Sequence, residues 1–296
     1  MGLSRAGKGN RKWLRKGGVK LAHVGAKGYD DLDGFRRVQQ DLKDQSYYRG
    51  KIDGYFWEAS VKAFKAANCH NKIIYGDRLL DAPEGVDLYN YWHEPVKQLR
   101  TGGKLEADQI VLHESVSSTW SKTVNVLLRR HLGVHLLVRK DGTAIQTCDL
   151  GRRTVHAGRQ NSRSVAVEAI SDYYGHRAKS NQTVINAIWA HKKRYILPSS
   201  RMLDTIWKLV EWTTRHTGVP LAFPATEDGK FRWGRGEWKK PGIVAHHRSA
   251  HADGCFVEHY CQLRSFGHDH GAAWNLTVSS ASESKRLTIL PGVTDG

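Results

Sequence analysis

Two stretches of this chain carry residues of the kinds that hold metals and move protons. Residues 109–168 open QIVLHES, run through GVHLLVRKDGTAIQTCDL and TVHAG, and close on NSRSVAVEAI; residues 242–255 read GIVAHHRSAHADGC. His113, His135, His156 and Glu168 lie in the first, and His246, His247, His251, Asp253 and Cys255 in the second. Imidazole, carboxylate and thiolate are the groups zinc takes, and a catalytic zinc uses three protein ligands and leaves a fourth position to water. A single His at a strand end reads first as a hydrogen-bonded core imidazole, because burying an unpaired polar group is costly. The recurrence of donors downstream is what favours a metal site, formed if the fold brings the early His to the late cluster.

The elements that must do this are short. Residues 110–112, 135–138 and 165–170 are apolar runs, rich in β-branched residues and flanked by turn formers, which predicts strands. Asp141-Gly142 supplies the backbone torsions of a tight hairpin after the second. Residues 242–246 predict another strand, on which alternation puts Val244 and His246 on one face and His247 on the other. Residues 117–128 predict a first helix and 202–216 a second, where Leu203, Ile206, Trp207, Leu209, Val210 and Thr213 form a stripe that packs on the sheet; Gly218 and Pro220 stop it. Residues 172–200 interleave aromatic and basic side chains. They read as an amphipathic surface helix of a basic protein, with stacking on sugars or bases as the alternative. Residues 223–240, with Phe231, Trp233 and Trp238 among Gly and charge, predict a loop that walls a substrate groove.

The blocks His113, GVHLLVRKDGT, TVHAG, NSRSVAVE and AHHRSAHADGC, taken in that order over residues 105–265, resemble the type-2 class of zinc-dependent N-acetylmuramoyl-L-alanine amidases, which share their fold with peptidoglycan recognition proteins. The resemblance implies an α/β fold, a mixed central β-sheet flanked by helices, with zinc in an open cleft. The implied reaction cleaves the amide joining the lactyl group of N-acetylmuramic acid to L-alanine of the stem peptide. Position by position, it implies His113 and His246 as metal ligands. The third is Asp253, with His251 as the nearby polar group that stabilises the oxyanion; Cys255 is the alternative third ligand. Glu168 matches the catalytic glutamate, and His135, His156 and Asn161 fall on the substrate side. Many members have Tyr immediately before the His of the second strand, where this chain has Val134.

The rest of the chain sets the context. With 46 Lys and Arg against 29 Asp and Glu the net charge is +17, which favours a polyanionic target. On charge alone nucleic acid and an anionic bacterial envelope fit equally; no zinc-finger or helix-turn-helix signature points to specific nucleic acid, and the family resemblance implies bacterial peptidoglycan as the partner. No apolar run reaches the ~18 residues of a transmembrane helix. Residues 1–28 hold eight Lys or Arg and no acid, without the apolar core of a signal peptide, and predict a basic flexible arm. Residues 29–95, with a Gln-containing helix, the turn GKIDGYF and a helix carrying Val61 and Phe64, resemble the three-helix peptidoglycan-binding domain found beside wall hydrolases. Residues 96–108 then read as a linker, 109–266 as the catalytic domain and 267–296 as a tail. The four cysteines make no disulfide framework, although Cys255 and Cys261 are close enough in sequence to pair. This layout suggests a monomeric phage endolysin, held in the host cytoplasm before release to the wall, or virion-associated. The alternative is a non-catalytic peptidoglycan-recognition protein of the same fold.

Overall fold

The computed structural model describes residues 36, 39–40, 43–44, 49–52, 70–76, 78–90, 101–117, 119–226, 228–233, 238–248 and 253–283. Among them the order of elements is β1 (Lys72–Tyr75), β2 (Arg78–Asp81), β3 (Leu88–Asn90), β4 (Thr101–Lys104), β5 (Gln109–Glu114), α1 (Trp120–Arg129), β6 (Leu136–Val138), β7 (Ala144–Gln146), β8 (Arg152–Thr154), β9 (Ser164–Ala169), β10 (Val184–Asn186), β11 (Arg194–Ile196), α2 (Ser200–Thr217), β12 (Gly242–Ala245), α3 (Cys255–Ser265) and α4 (His270–Glu283). Six strands make one mixed sheet in the order β12-β5-β9-β6-β7-β3. The first four run parallel; β7 and β3 are parallel to each other and antiparallel to β6.

Every residue of β5 and β9 is buried, as parallel strands covered on both faces require. Alternation then sorts their side chains. Ile110 and Leu112 of β5, Val165, Val167 and Ala169 of β9, and Ile243 and Ala245 of β12 enter one core with Leu203, Ile206, Leu209 and Val210 of α2. Their neighbours point the other way: Ala166 packs with Leu127 of α1, and Val111 with Val244. The helix α2 begins where the Ser199 hydroxyl accepts the Met202 N–H and ends at Gly218 in the left-handed region, as its sequence signals require.

Three parts of the chain differ from the sequence expectation. Residues 70–76, 78–90 and 101–104 belong to the same unit as the sheet rather than to a helical domain and a linker: β3 is its edge strand against β7, and β4 pairs with β8. Strands of three or four residues are too brief for a period of two to stand out. The expected tail is α4, whose Ala273, Thr277 and Ala281 are buried and whose Ala281 carbonyl accepts the indole N–H of Trp189. Small residues let that helix approach closely, and they are also why its stripe is inconspicuous. Residues 172–200 form the antiparallel hairpin β10–β11 with short turns instead of a surface helix, and Trp189 and Tyr195 are core. Arg36, Gln39, Gln40, Lys43 and Asp44 are helical; the basic arm, the remainder of the expected three-helix domain and residues 284–296 lie outside the described residues. Among the described residues no helix is long and apolar enough to cross a membrane.

The turn after β12, His246–Arg248, rests on a fully buried ion pair. Arg248 Nη2 donates to Glu258 Oε2 (2.6 Å) and to the Arg232 carbonyl (2.9 Å), and Glu258 Oε1 accepts the Ala245 N–H (3.0 Å). Removing one partner strands a buried charge, so Glu258→Ala is expected to cost about 3–5 kcal/mol. The check is urea unfolding: the midpoint should fall with the slope unchanged, and a wild-type midpoint would contradict the role given to this pair.

Candidate active site

Three parallel strands deliver the polar groups to one face. His113 and Glu168 are in-register partners on β5 and β9, so their side chains leave the sheet side by side. On the other flank of β5, Ala245 pairs with Leu112, which brings the following His246 level with His113. Asp253 arrives from the segment before α3. The His113 and His246 ring centroids are 4.5 Å apart. Asp253 Oδ1 lies 3.2 Å from His246 Nδ1, and Oδ2 lies 3.7 Å from His113 Nδ1. One donor atom from each of the three residues falls within 4.8 Å of the others, and all three residues are buried. Among the described residues this is the one such cluster.

A chain of hydrogen bonds assigns the tautomer of His113. The Ser164 hydroxyl donates to the Gln160 carbonyl (2.6 Å), so its oxygen is left to accept from His156 Nε2 (3.2 Å). His156 is neutral, held well below the usual His range by burial and by the neighbouring His113, His135 and His246. Its Nδ1 is therefore an acceptor, and the partner 3.0 Å away, His113 Nε2, is the donor. In the neutral ring that a metal ligand requires, His113 Nδ1 is then the nitrogen left to coordinate, and it faces the Asp253 carboxylate 3.7 Å away. Asp253 Oδ1 is buried without a hydrogen bond, while Oδ2 is hydrogen-bonded to His246 Nδ1 at 3.4 Å. Two imidazoles and a carboxylate with one potential donor atom each inside a 4.8 Å cluster suit a cation, and the set is one zinc commonly takes.

The two site carboxyls are driven apart. Burial raises Glu168 to about 8, with the negative Asp253 adding to the rise. Burial also opposes ionisation of Asp253, but the His113 and His246 rings outweigh it and hold that carboxyl at about 2. One group is ionised throughout; the other is balanced near neutrality, the arrangement expected where acid and base roles are divided.

The remaining site expectations divide. His156 lines the cavity, bonded to His113 and Ser164. Asn161 also lines it, but its side-chain oxygen accepts the backbone N–H groups of His156 and Ala157, a loop-holding role. His135 does not reach the substrate side: it is 0 % exposed, with Nε2 on the Arg152 carbonyl and Nδ1 accepting the Ala166 N–H. It is the core imidazole that an isolated strand His suggests. Cys255, at the start of α3, is outside the donor cluster, and Cys255 and Cys261 are both free thiols. His251 lies outside the described residues.

The cluster sits at the floor of a cavity of about 870 Å³. Trp238 lines it, as expected for the 223–240 loop, and Tyr173 and Tyr174 line it too. Arg130, which follows α1, and Arg159, within the turn Gly158–Ser162, line it without a signal in the sequence, since the placement of that helix and turn over the sheet is a tertiary fact.

A family model described as N-acetylmuramoyl-L-alanine amidase matches residues 103–261. No curated protein matches the chain. Similar solved structures include the N-acetylmuramoyl-L-alanine amidase LysC from Clostridium intestinale, at 12% identity over 56% of this chain and 91% of that one, with a TM-score of 0.38. The Staphylococcus aureus hydrolase AmiA, solved with its ligand, aligns at 14% identity over 68% and 85% of the two chains, with a TM-score of 0.38. The Drosophila peptidoglycan recognition protein SA aligns at 13% identity over 45% and 75%, with a TM-score of 0.32. On the family match, which covers more than half its length and contains every member of the donor cluster, the chain belongs to the N-acetylmuramoyl-L-alanine amidase family.

Proposed function

We propose that this protein is a zinc-dependent hydrolase that cleaves the amide between N-acetylmuramic acid and L-alanine of the peptidoglycan stem. The observation that carries the reading is the pairing of a buried, proton-balanced carboxyl, Glu168, with a two-His, one-Asp donor set on the floor of an open cavity. A zinc held by His113, His246 and Asp253 supplies Lewis acidity and makes water acidic enough to ionise near neutral pH. Glu168 takes the proton of the attacking water and passes it to the leaving amine of L-alanine. His156 keeps His113 in the tautomer that presents Nδ1 inward. His251, two residues before Asp253, is the proposed cationic group for the developing oxyanion. Tyr173, Tyr174 and Trp238 offer aromatic faces to sugar and peptide.

The basic balance of the chain and the wall-binding resemblance of residues 29–95 support a lytic setting of the phage endolysin kind, acting on an anionic bacterial envelope as a monomer. A recognition-only protein would need neither the complete donor set nor Glu168. Zinc-loaded protein incubated with purified peptidoglycan is expected to release stem peptides bearing free L-alanine amino termini and to leave glycan strands intact, as read by mass spectrometry. Glu168→Ala should keep its zinc and lose turnover by at least about 10²-fold. Binding to the wall without released termini in the wild type would establish recognition instead. Removal of the metal by a chelator should stop release and added zinc should restore it; release that persists through chelation would remove zinc from the account.

A further inference from the structure

The residue after the first donor points away from the cavity. Alternation on β5 sends Glu114 to the α2 side of the sheet, where it is 3 % exposed. A carboxylate in that position must be hydrogen-bonded or it would not be tolerated. Two donors hold it: the Tyr195 hydroxyl, 2.5 Å from Oε1, and the Gly254 N–H, 3.0 Å from Oε2. Tyr195 is 0 % exposed and lodged between Trp189 and Phe256, with ring centroids 4.7 and 5.3 Å away. Its hydroxyl is therefore delivered to Glu114 from a rigid wall.

Gly254 directly follows Asp253, and the peptide unit joining them is gripped at both ends. Its N–H goes to Glu114, and its carbonyl accepts the N–H of His247 at 2.9 Å. The neighbour of His113 and the neighbour of His246 thus bind the same peptide unit, the one that aims the Asp253 side chain. The grip is tight. Gly254 has φ +83°, and a Cβ there would stand 2.2 Å from the carbonyl oxygen of Leu112, the residue before His113. The Asp253 segment is pressed against β5 as closely as a backbone allows.

We propose that Glu114 and Tyr195 are positioning residues for the metal centre: Tyr195 orients the Glu114 carboxylate, which holds the Asp253–Gly254 peptide so that the Asp253 oxygens meet His113 and His246. Neither residue touches metal or substrate. The pair acts through the third donor alone, and so the proposal rests on the reading of His113, His246 and Asp253 as zinc ligands. It also gives the β10–β11 hairpin a task, because Tyr195 is the one side chain of β11 that enters the network.

The test is zinc affinity, measured by competition with a chromophoric chelator on folded, metal-stripped full-length protein. Glu114→Ala is expected to weaken zinc binding about 10–100-fold, and Tyr195→Phe to weaken it in the same direction by less. Glu114→Gln should stay near wild type, since its amide oxygen can accept from Gly254 while its NH₂ donates to the Tyr195 oxygen. In an Asp253→Ala background, whose two remaining imidazoles bind zinc too weakly to retain it through purification but measurably at the raised zinc concentrations of the competition, Glu114→Ala should produce no further loss. Unchanged affinity in Glu114→Ala and Tyr195→Phe, or an equal loss with and without Asp253, would overturn the proposal while leaving the zinc reading intact. A wild type that binds no zinc would end both. If Glu114→Ala does not fold, Tyr195→Phe, which removes a single hydroxyl, carries the test with the same Asp253→Ala comparison.

Discussion

A buried imidazole nitrogen facing a buried carboxylate is an arrangement that needs a positive charge, a proton or a metal ion, to balance it. His113 Nδ1 and Asp253 stand in that relation because the proton of His113 is committed to His156, whose own proton is committed to Ser164. Everything else near the site serves to keep this convergence from relaxing. Ser164 opens β9 opposite Gln109, and Asn161 ties down the backbone at His156 and Ala157, so the relay is anchored in the sheet and not in side chains alone. The same sheet carries Glu168 one strand away from His113, and the buried Arg248–Glu258 pair holds the turn that carries His246.

Chemistry follows from how unequally the two carboxyls are treated. Both are buried, but Asp253 has imidazoles on two sides and stays ionised, while Glu168 has no cationic partner among the described residues and is held near the point where it gains and loses a proton easily. Burial is common to both; neighbours make the difference. That division places the permanent charge with the donor set and the mobile proton beside it, in a cavity lined also by aromatic and cationic side chains.

His113, His246 and Glu168 were singled out in the sequence because each sits at or just after the end of a short apolar strand, Asp253 because it follows in the same His-rich block, and all four because their order along the chain matches one family. The choice of Asp253 over Cys255 was not fixed by spacing; it depends on where the chain turns before α3, and the turn leaves Cys255 inside the core side of that helix. His135 and His156 looked alike in the sequence. Burial separates them, since one satisfies both nitrogens on backbone and the other on side chains of the site. Glu114 carried no signal at all. Its partners lie 81 and 140 positions away, and such contacts have no local pattern. The edge strand β3, the helix α4 and the β10–β11 hairpin were missed for related reasons: short strands, a stripe of small residues, and aromatic side chains that serve the core where their composition suggested a surface.

The central claim is that the convergent donors close on one zinc, and elemental analysis of metal per chain tests it most directly, on the wild type and on His113→Ala, Asp253→Ala and Cys255→Ala. The account expects one zinc per chain in the wild type and in Cys255→Ala, and its loss from His113→Ala and Asp253→Ala. A wild type without zinc, or zinc lost with Cys255 and kept without Asp253, would contradict it.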